Sequence, residues 1–264
     1  PEVRAGLINP FAHGAIKLAA RFREGRRLAK TKYTQVIILP NSLKSALVPF
    51  FACIPQRTGW LGEARYGLLN DYRTLDKQAH PLMVQRFVAL AYPKHSTVVH
   101  QPYHPQLESN PQQQAVTLQA LGLGRDKPIL ALCPGAEYGP AKRWPPQHFA
   151  EVAQAYHQQG YQVWILGSNK DLPFAEEILH TARHAINLCG KTNLAQVIDL
   201  LAMADAAVSN DSGLMHIAAA VNTPLVAVYG SSSPDFTPPL ARNIQITQLD
   251  LPCIPCFKRE CPLT

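Results

Sequence analysis

A lysine, an aspartate and a histidine, set among glycines and hydroxyl side chains, are the residues of this sequence best placed for chemistry. Lys142 lies in Pro134-Gly135-Ala136-Glu137-Tyr138-Gly139-Pro140-Ala141-Lys142-Arg143-Trp144-Pro145, and Asp211 opens Asp211-Ser212-Gly213-Leu214-Met215-His216. Gly213 lets the backbone approach a ligand closely, and a helix starting near Leu214 would aim its unbonded N–H groups at an anion. His216 falls on the first turn of that helix. A diphosphate requires a cation as well as amides, and Lys142 on a parallel loop could supply it. Taken one at a time the same residues have plainer readings. Asp211 or Ser212 is then an ordinary helix N-cap with His216 as its neighbour, Lys142 and Arg143 form a solvated pair, and Trp144 is a core anchor.

Such loops need elements to hold them, and the sequence alternates apolar runs with helical patterns. Strands are expected at 35–39, 128–133, 162–166, 185–188, 206–209 and 224–229, with helices at 148–159, 171–183, 194–203 and 214–221 and a shorter helical pattern reaching 47. Strictly alternating β and α with near-continuous apolar strands implies a parallel sheet covered on both faces. Ligands of such sheets sit beyond the carboxyl ends of the strands. Those positions hold the Lys142 loop, Gly167-Ser168-Asn169-Lys170-Asp171, Gly190-Lys191-Thr192, Asn210-Asp211-Ser212-Gly213 and Gly230-Ser231-Ser232-Ser233. The second half supplies five strands, enough for a doubly wound domain. The first half shows one clear strand and a weaker one at 96–99. Residues 101–114, rich in Pro and Gln, read as a linker, giving an incomplete first domain over 1–105 and a second over 106–264.

Composition excludes several classes. The chain has 264 residues, a net charge of +7, 47% hydrophobic and 16% charged residues, as expected of a globular protein with a substantial core. The longest nearly apolar run, 46–54, is interrupted by Pro49 and is too short for a bilayer. The start carries no signal-peptide core, and six Cys are too sparse for a disulfide scaffold, so a reducing cytoplasm is expected. Residues 1–33 hold eight basic side chains against Glu2 and Glu24. This is either a solvated face or a surface for an anion, and nucleic acid is disfavoured by the lack of aromatics and of a binding motif. No Walker A loop is present, Gly122-Leu123-Gly124 follows a helix rather than a strand, and Gly230-Ser231-Ser232-Ser233 is not a nucleophile elbow. His95, His100 and His104 read as loop residues. Cys253, Cys256 and Cys261 are either part of a metal site or a buried, reduced cluster.

Several of these motifs resemble one family. Asp211 to Ala220, followed by Thr223-Pro224-Leu225-Val226-Ala227 and Tyr229-Gly230, resembles the nucleotide-sugar signature of the heptosyltransferases that build the lipopolysaccharide inner core. The Lys142 loop resembles the second signature of that family. Leu39 to Ala46 and Ile54 to Trp60 resemble its first domain, and Cys256-Phe257-Lys258-Arg259-Glu260-Cys261-Pro262 the tail of one of its branches. The resemblance implies a GT-B fold of two Rossmann-like domains, the first lacking its initial βαβ unit. It implies inverting, metal-independent transfer of heptose from ADP-L-glycero-D-manno-heptose to heptosyl-Kdo2-lipid A, with no further cofactor. On this chain Lys142, with the backbone at Gly213 and Leu214, would hold the donor phosphates and Asp211 would meet the heptose hydroxyls. His216 would lie by the diphosphate, Lys191 and Thr192 by adenine, and Asp171 by the ribose, with Gly135, Tyr138 and Ser212 completing the donor site. Lys44, Arg57 and Arg65 would face the acidic acceptor. The general base is expected upstream of Pro1. A monomer, cytoplasmic and peripheral to the inner face of the inner membrane, is expected, and the rivals are a donor-binding fragment without turnover and another GT-B transferase.

Overall fold

The computed structural model describes residues 5–6, 11, 15–94, 96 and 104–263. The chain divides into two compact units, residues 1–102 and 103–264. In the first unit, α1 (Leu18–Leu28), β1 (Gln35–Ile38), α2 (Leu43–Phe51), β2 (Gln56–Trp60), β3 (Asp71–Arg73) and α3 (Met83–Ala89) follow one another. The three strands form one parallel sheet in the order β1-β2-β3. Two of its strands were not anticipated, because Gln-Arg-Thr-Gly-Trp and Asp-Tyr-Arg lack an apolar run. Their buried polar groups satisfy each other instead: Thr58 Oγ1 donates to Asp71 at 2.9 Å, and Arg73 pairs with the same carboxylate at 3.0 Å. Residues 97–99, expected as a weak strand, lie outside the described residues, as do His95 and His100.

The second unit contains α4 (Pro111–Leu121), β4 (Ile129–Cys133), α5 (Pro146–Gln158), β5 (Gln162–Ile165), α6 (Leu172–Thr181), β6 (Ile186–Asn187), α7 (Leu194–Met203), β7 (Ala206–Asn210), α8 (Gly213–Ala220), β8 (Leu225–Tyr229) and β9 (Ile244–Gln248). All six strands are parallel, in the order β6-β5-β4-β7-β8-β9. Successive side chains of β4 go to opposite faces. Ile129, Ala131 and Cys133 pack with Leu200, Leu201 and Met215 under α7 and α8, whereas Leu130 and Leu132 pack with Phe149, Ala153 and Ile178 under α5 and α6. Every residue of β4 is buried, which is why it reads as a continuous apolar run. Each fully buried Leu or Ile contributes about 1.5–3 kcal/mol relative to exposure, so this sheet is the mechanical base of the site.

Two expectations need correction. Residues 101–114 are not all linker, since Asn110 caps α4 through a 2.9 Å bond from Gln113 N and Pro111 occupies its first position. The preceding segment is tied down by Leu107 N on Ala220 O and by Ser109 Oγ on Asp199, the latter at 2.7 Å. The sixth strand, β9, is an edge strand of alternating character that shows no apolar run. Among the described residues no helix is long and apolar enough to cross a membrane.

Candidate functional site

Strand order places the site. From β4 the chain winds outward through β5 and β6, then returns to β7 on the other side of β4. The loops after β4 and β7 therefore diverge at a switch point, the place where open parallel sheets take ligands. Lys142 follows β4, Asp211 follows β7, and they meet: Nζ lies 2.5 Å from Asp211 Oδ2, with 17% and 5% of the side chains exposed. Ser232 Oγ, from the loop after β8, donates to the same oxygen at 2.5 Å. A third group fixes the Lys142 loop from below. Asn210 is fully buried; its Nδ2 donates to Pro134 O at 2.6 Å and its Oδ1 accepts from Trp144 N at 3.0 Å. One side chain thus pins both ends of the loop that carries Lys142.

Helix α8 opens at Gly213, and Ser212 makes no side-chain cap to its first turn. Its first N–H groups are left for a ligand, and the helix dipole favours an anion there. His216, one turn in, keeps an exposed edge, but packing on its other sides holds its pKa below the usual 6.5, so the ring is neutral near pH 7. Tyr138 lies at the rim, its Oη donating to Phe257 O at 2.6 Å and its ring centroid 5.3 Å from Lys142 Nζ. Lys191 is exposed beyond β6, and Thr192 Oγ1 beside it is enclosed with no partner among the described residues. Gly135 begins the Lys142 loop directly beyond β4. Lys142, Asp211, Ser212, Gly213, Leu214, His216 and Tyr138 therefore belong to neighbouring loops of one rim, with Lys191 and Thr192 on the same rim two strands away.

Asp171 has a different task from the one expected. Its Oδ2 accepts from Ser168 N at 2.9 Å and Ser168 Oγ at 2.7 Å, so one carboxylate oxygen braces the start of α6. In the first unit, Arg65 is also corrected. It is fully buried, donating from Nη1 to Pro40 O at 2.8 Å and from Nη2 to Trp60 O, and burial lowers its pKa. Such a guanidinium cannot face an acceptor. Arg57 is half-buried and gives Nε to Leu68 O at 2.7 Å and Nη1 to Ile54 O at 2.6 Å, so most of its fork is likewise committed. Arg21 of the basic N-terminal stretch is inside as well, bonded to the carbonyls of Ile16 and Lys44. Lys44 itself is partly exposed at the second position of α2. The three C-terminal cysteines are not a buried cluster, because Cys253 and Cys261 are exposed and Cys256 is half-buried. Among the described residues no group of three His, Cys, Asp or Glu could hold a metal ion.

A doubly wound parallel sheet with a cation and an open helix start at its switch point, joined to a second parallel α/β unit, is the architecture of the GT-B glycosyltransferases. Within that class the comparison is specific. The profile of glycosyltransferase family 9 (heptosyltransferase) matches residues 21–264, and the chain belongs to this family. It is 49% identical over 259 residues to lipopolysaccharide heptosyltransferase 2 of Escherichia coli K12, covering 94% of this chain and 74% of that one. It is likewise 49% identical over 264 residues to lipooligosaccharide heptosyltransferase 2 of Haemophilus influenzae, covering 94% and 75%. The solved structure of E. coli ADP-heptose LPS heptosyltransferase II superimposes with a TM-score of 0.82 at 47% identity, over 88% of this chain and 73% of that one. The chain is thus a glycosyltransferase.

Proposed function

We propose that this chain transfers L-glycero-D-manno-heptose from ADP-heptose to heptosyl-Kdo2-lipid A, in assembly of the lipopolysaccharide inner core. The observation that carries the reading is the Lys142 cation beside the open N-terminus of α8, together with 49% identity to two heptosyltransferases 2. In the proposed step the acceptor hydroxyl oxygen attacks the anomeric carbon from the face opposite ADP. The C–O bond to the β-phosphate breaks, its electron pair leaves with ADP, and the acceptor proton passes to a base. Configuration at the anomeric carbon inverts. Lys142 and the α8 amides offset the charge that develops on the leaving phosphate, a stabilisation greatest where water is excluded. Asp211, with Oδ2 already shared by Lys142 and Ser232, holds the lysine in place and offers its other oxygen to a heptose hydroxyl. The exposed Lys191 and the half-buried Thr192 beside it suit the adenine edge. Ser212, His216, Gly135 and Tyr138 complete the donor surface.

On the acceptor side, Lys44 and the exposed cations of α1, Arg23 and Arg26, suit Kdo carboxylates and lipid A phosphates. A monomer acting peripherally at the inner face of the inner membrane fits such an acceptor. The test is twofold. Calorimetry should show binding of ADP-heptose and none of UDP-glucose. Incubation with donor and heptosyl-Kdo2-lipid A should add one heptose to the acceptor by mass spectrometry. Equal binding of the two donors would overturn the donor assignment, and binding without transfer would leave a nucleotide-sugar-binding protein.

A further inference from the structure

The ion pair at the switch point raises a problem of charge. Asp211 already neutralises Lys142 at 2.5 Å. A nucleoside diphosphate entering there brings several negative charges beside a carboxylate, while the α8 N-terminus offers only about half an elementary charge. More positive charge is needed, and the nearby candidates are few. His216 is neutral. Arg143 turns inward, 3.5 Å from Ala136 O and 5.8 Å from the Phe174 ring. Lys170 is held at 2.6 Å by Glu137.

Of the other exposed cations, Lys191 lies two strands away and Lys258 neighbours Arg259; Arg259, brought in by a segment 117 positions further along the chain than Lys142, is the one whose cationic centre stands over the ring that Lys142 also meets. The segment is threaded into the site by its backbone. Arg259 O accepts from Ala141 N at 3.0 Å, next to Lys142, and Phe257 N donates to Ser231 O at 2.8 Å. Ser231 N donates in turn to Ala141 O at 3.0 Å, and Ser231 Oγ to Lys258 O at 2.9 Å. Two glycines make room for this crossing. A Cβ on Gly139 would stand 2.5 Å from Arg259 O, and one on Gly230 would run into Ala141 O. The outcome is that Arg259 and Lys142 share one aromatic ring, each with its cationic centre 5.3 Å from the Tyr138 centroid. The exposed Arg259 guanidinium can turn toward a diphosphate without breaking any of the backbone bonds that carry it.

We propose that Arg259 is a second phosphate-binding cation of the donor site, held beside Lys142 by Tyr138 and by the backbone of Phe257–Arg259. The proposal rests on the reading that this site takes a nucleoside diphosphate. A guanidinium suits the role because its planar fork meets two phosphate oxygens at once.

Calorimetric titration of the 264-residue chain with ADP, repeated over a series of salt concentrations, tests it. Arg259→Gln should raise the Kd for ADP about tenfold or more, the size typical of one lost charge-assisted contact. It should also make the dependence of Kd on salt shallower, because one screened attraction is gone. Arg259→Lys should recover the salt dependence. An unchanged Kd in Arg259→Gln would overturn the proposal. So would a weakened Kd with an unchanged salt slope, which assigns the segment a purely structural role. Failure of the wild-type chain to bind ADP would remove the donor-site reading itself, and that outcome is visible before any variant is made.

Discussion

Lys142 is asked to do two things, and substitution can separate them. Removing one member of a buried ion pair leaves an uncompensated charge, a cost of about 3–5 kcal/mol. Losing one preorganised stabiliser of the leaving group costs about 10²-fold in kcat. Lys142→Met should therefore lose both stability and turnover. Lys142→Met combined with Asp211→Asn should regain much of the unfolding midpoint but none of the turnover, and recovery of both would deny the lysine its role in transfer. His216 gives a pH signature. Its folded pKa lies below the usual 6.5, so as pH falls the unfolded chain takes up the proton first. The stability that neutral His216 contributes is complete above about 6.5 and is lost as pH drops from there toward the folded value. Tm of the wild type should fall more steeply through that window than Tm of His216→Gln.

Among the elements, the loops decide whether the site is preorganised. Gly230→Ala would push a methyl group into the Ala141 carbonyl, one residue from Lys142. It should destabilise the chain by about 1–3 kcal/mol and weaken ADP binding, measured by urea unfolding and calorimetry. In the first unit Arg65 is a strut: Arg65→Leu leaves the Pro40 and Trp60 carbonyls without their buried donor, at about 1–3 kcal/mol each. Its urea midpoint should drop while the Kd for ADP stays as it was, and a selective loss of acceptor KM would restore the surface role the structure denies it. The sequence made the second sheet legible wherever a strand is apolar throughout, as in β4 and β8, or nearly so, as in β5. It hid β2, β3 and β9, where the buried polar set of Thr58, Asp71 and Arg73 or an exposed sheet edge takes the place of an apolar run. Lys142 and Asp211 could be found because strand ends are where parallel sheets bind. Asn210, Ser232 and Arg259 could not, since their roles depend on contacts 21 to 118 positions away that no local pattern encodes.

At the scale of the molecule the two units are unequally built. The second has apolar layers on both faces of a six-stranded sheet, whereas the first has small clusters around Leu28, Ala52 and Ile54 and around Ile38, Ala46 and Leu69. Units of unequal core should not melt as one. Calorimetry should resolve two transitions, and hydrogen exchange should report β1 to β3 opening in the lower one. ADP, whose proposed site lies in the second unit, should raise the upper transition and leave the lower in place. A single transition that moves as a whole with ADP would show that the units unfold together.

The uniform direction of the six strands has a practical side. Every turn that feeds a strand of the second sheet from a helix, such as residues 122–128 or 159–161, lies on the rim opposite Lys142 and Asp211. The second unit has, in effect, a working end and a handle. A chain fixed to a sensor surface through a cysteine or tag inserted at 124–126 would present its donor loops outward, with the sheet standing between them and the support.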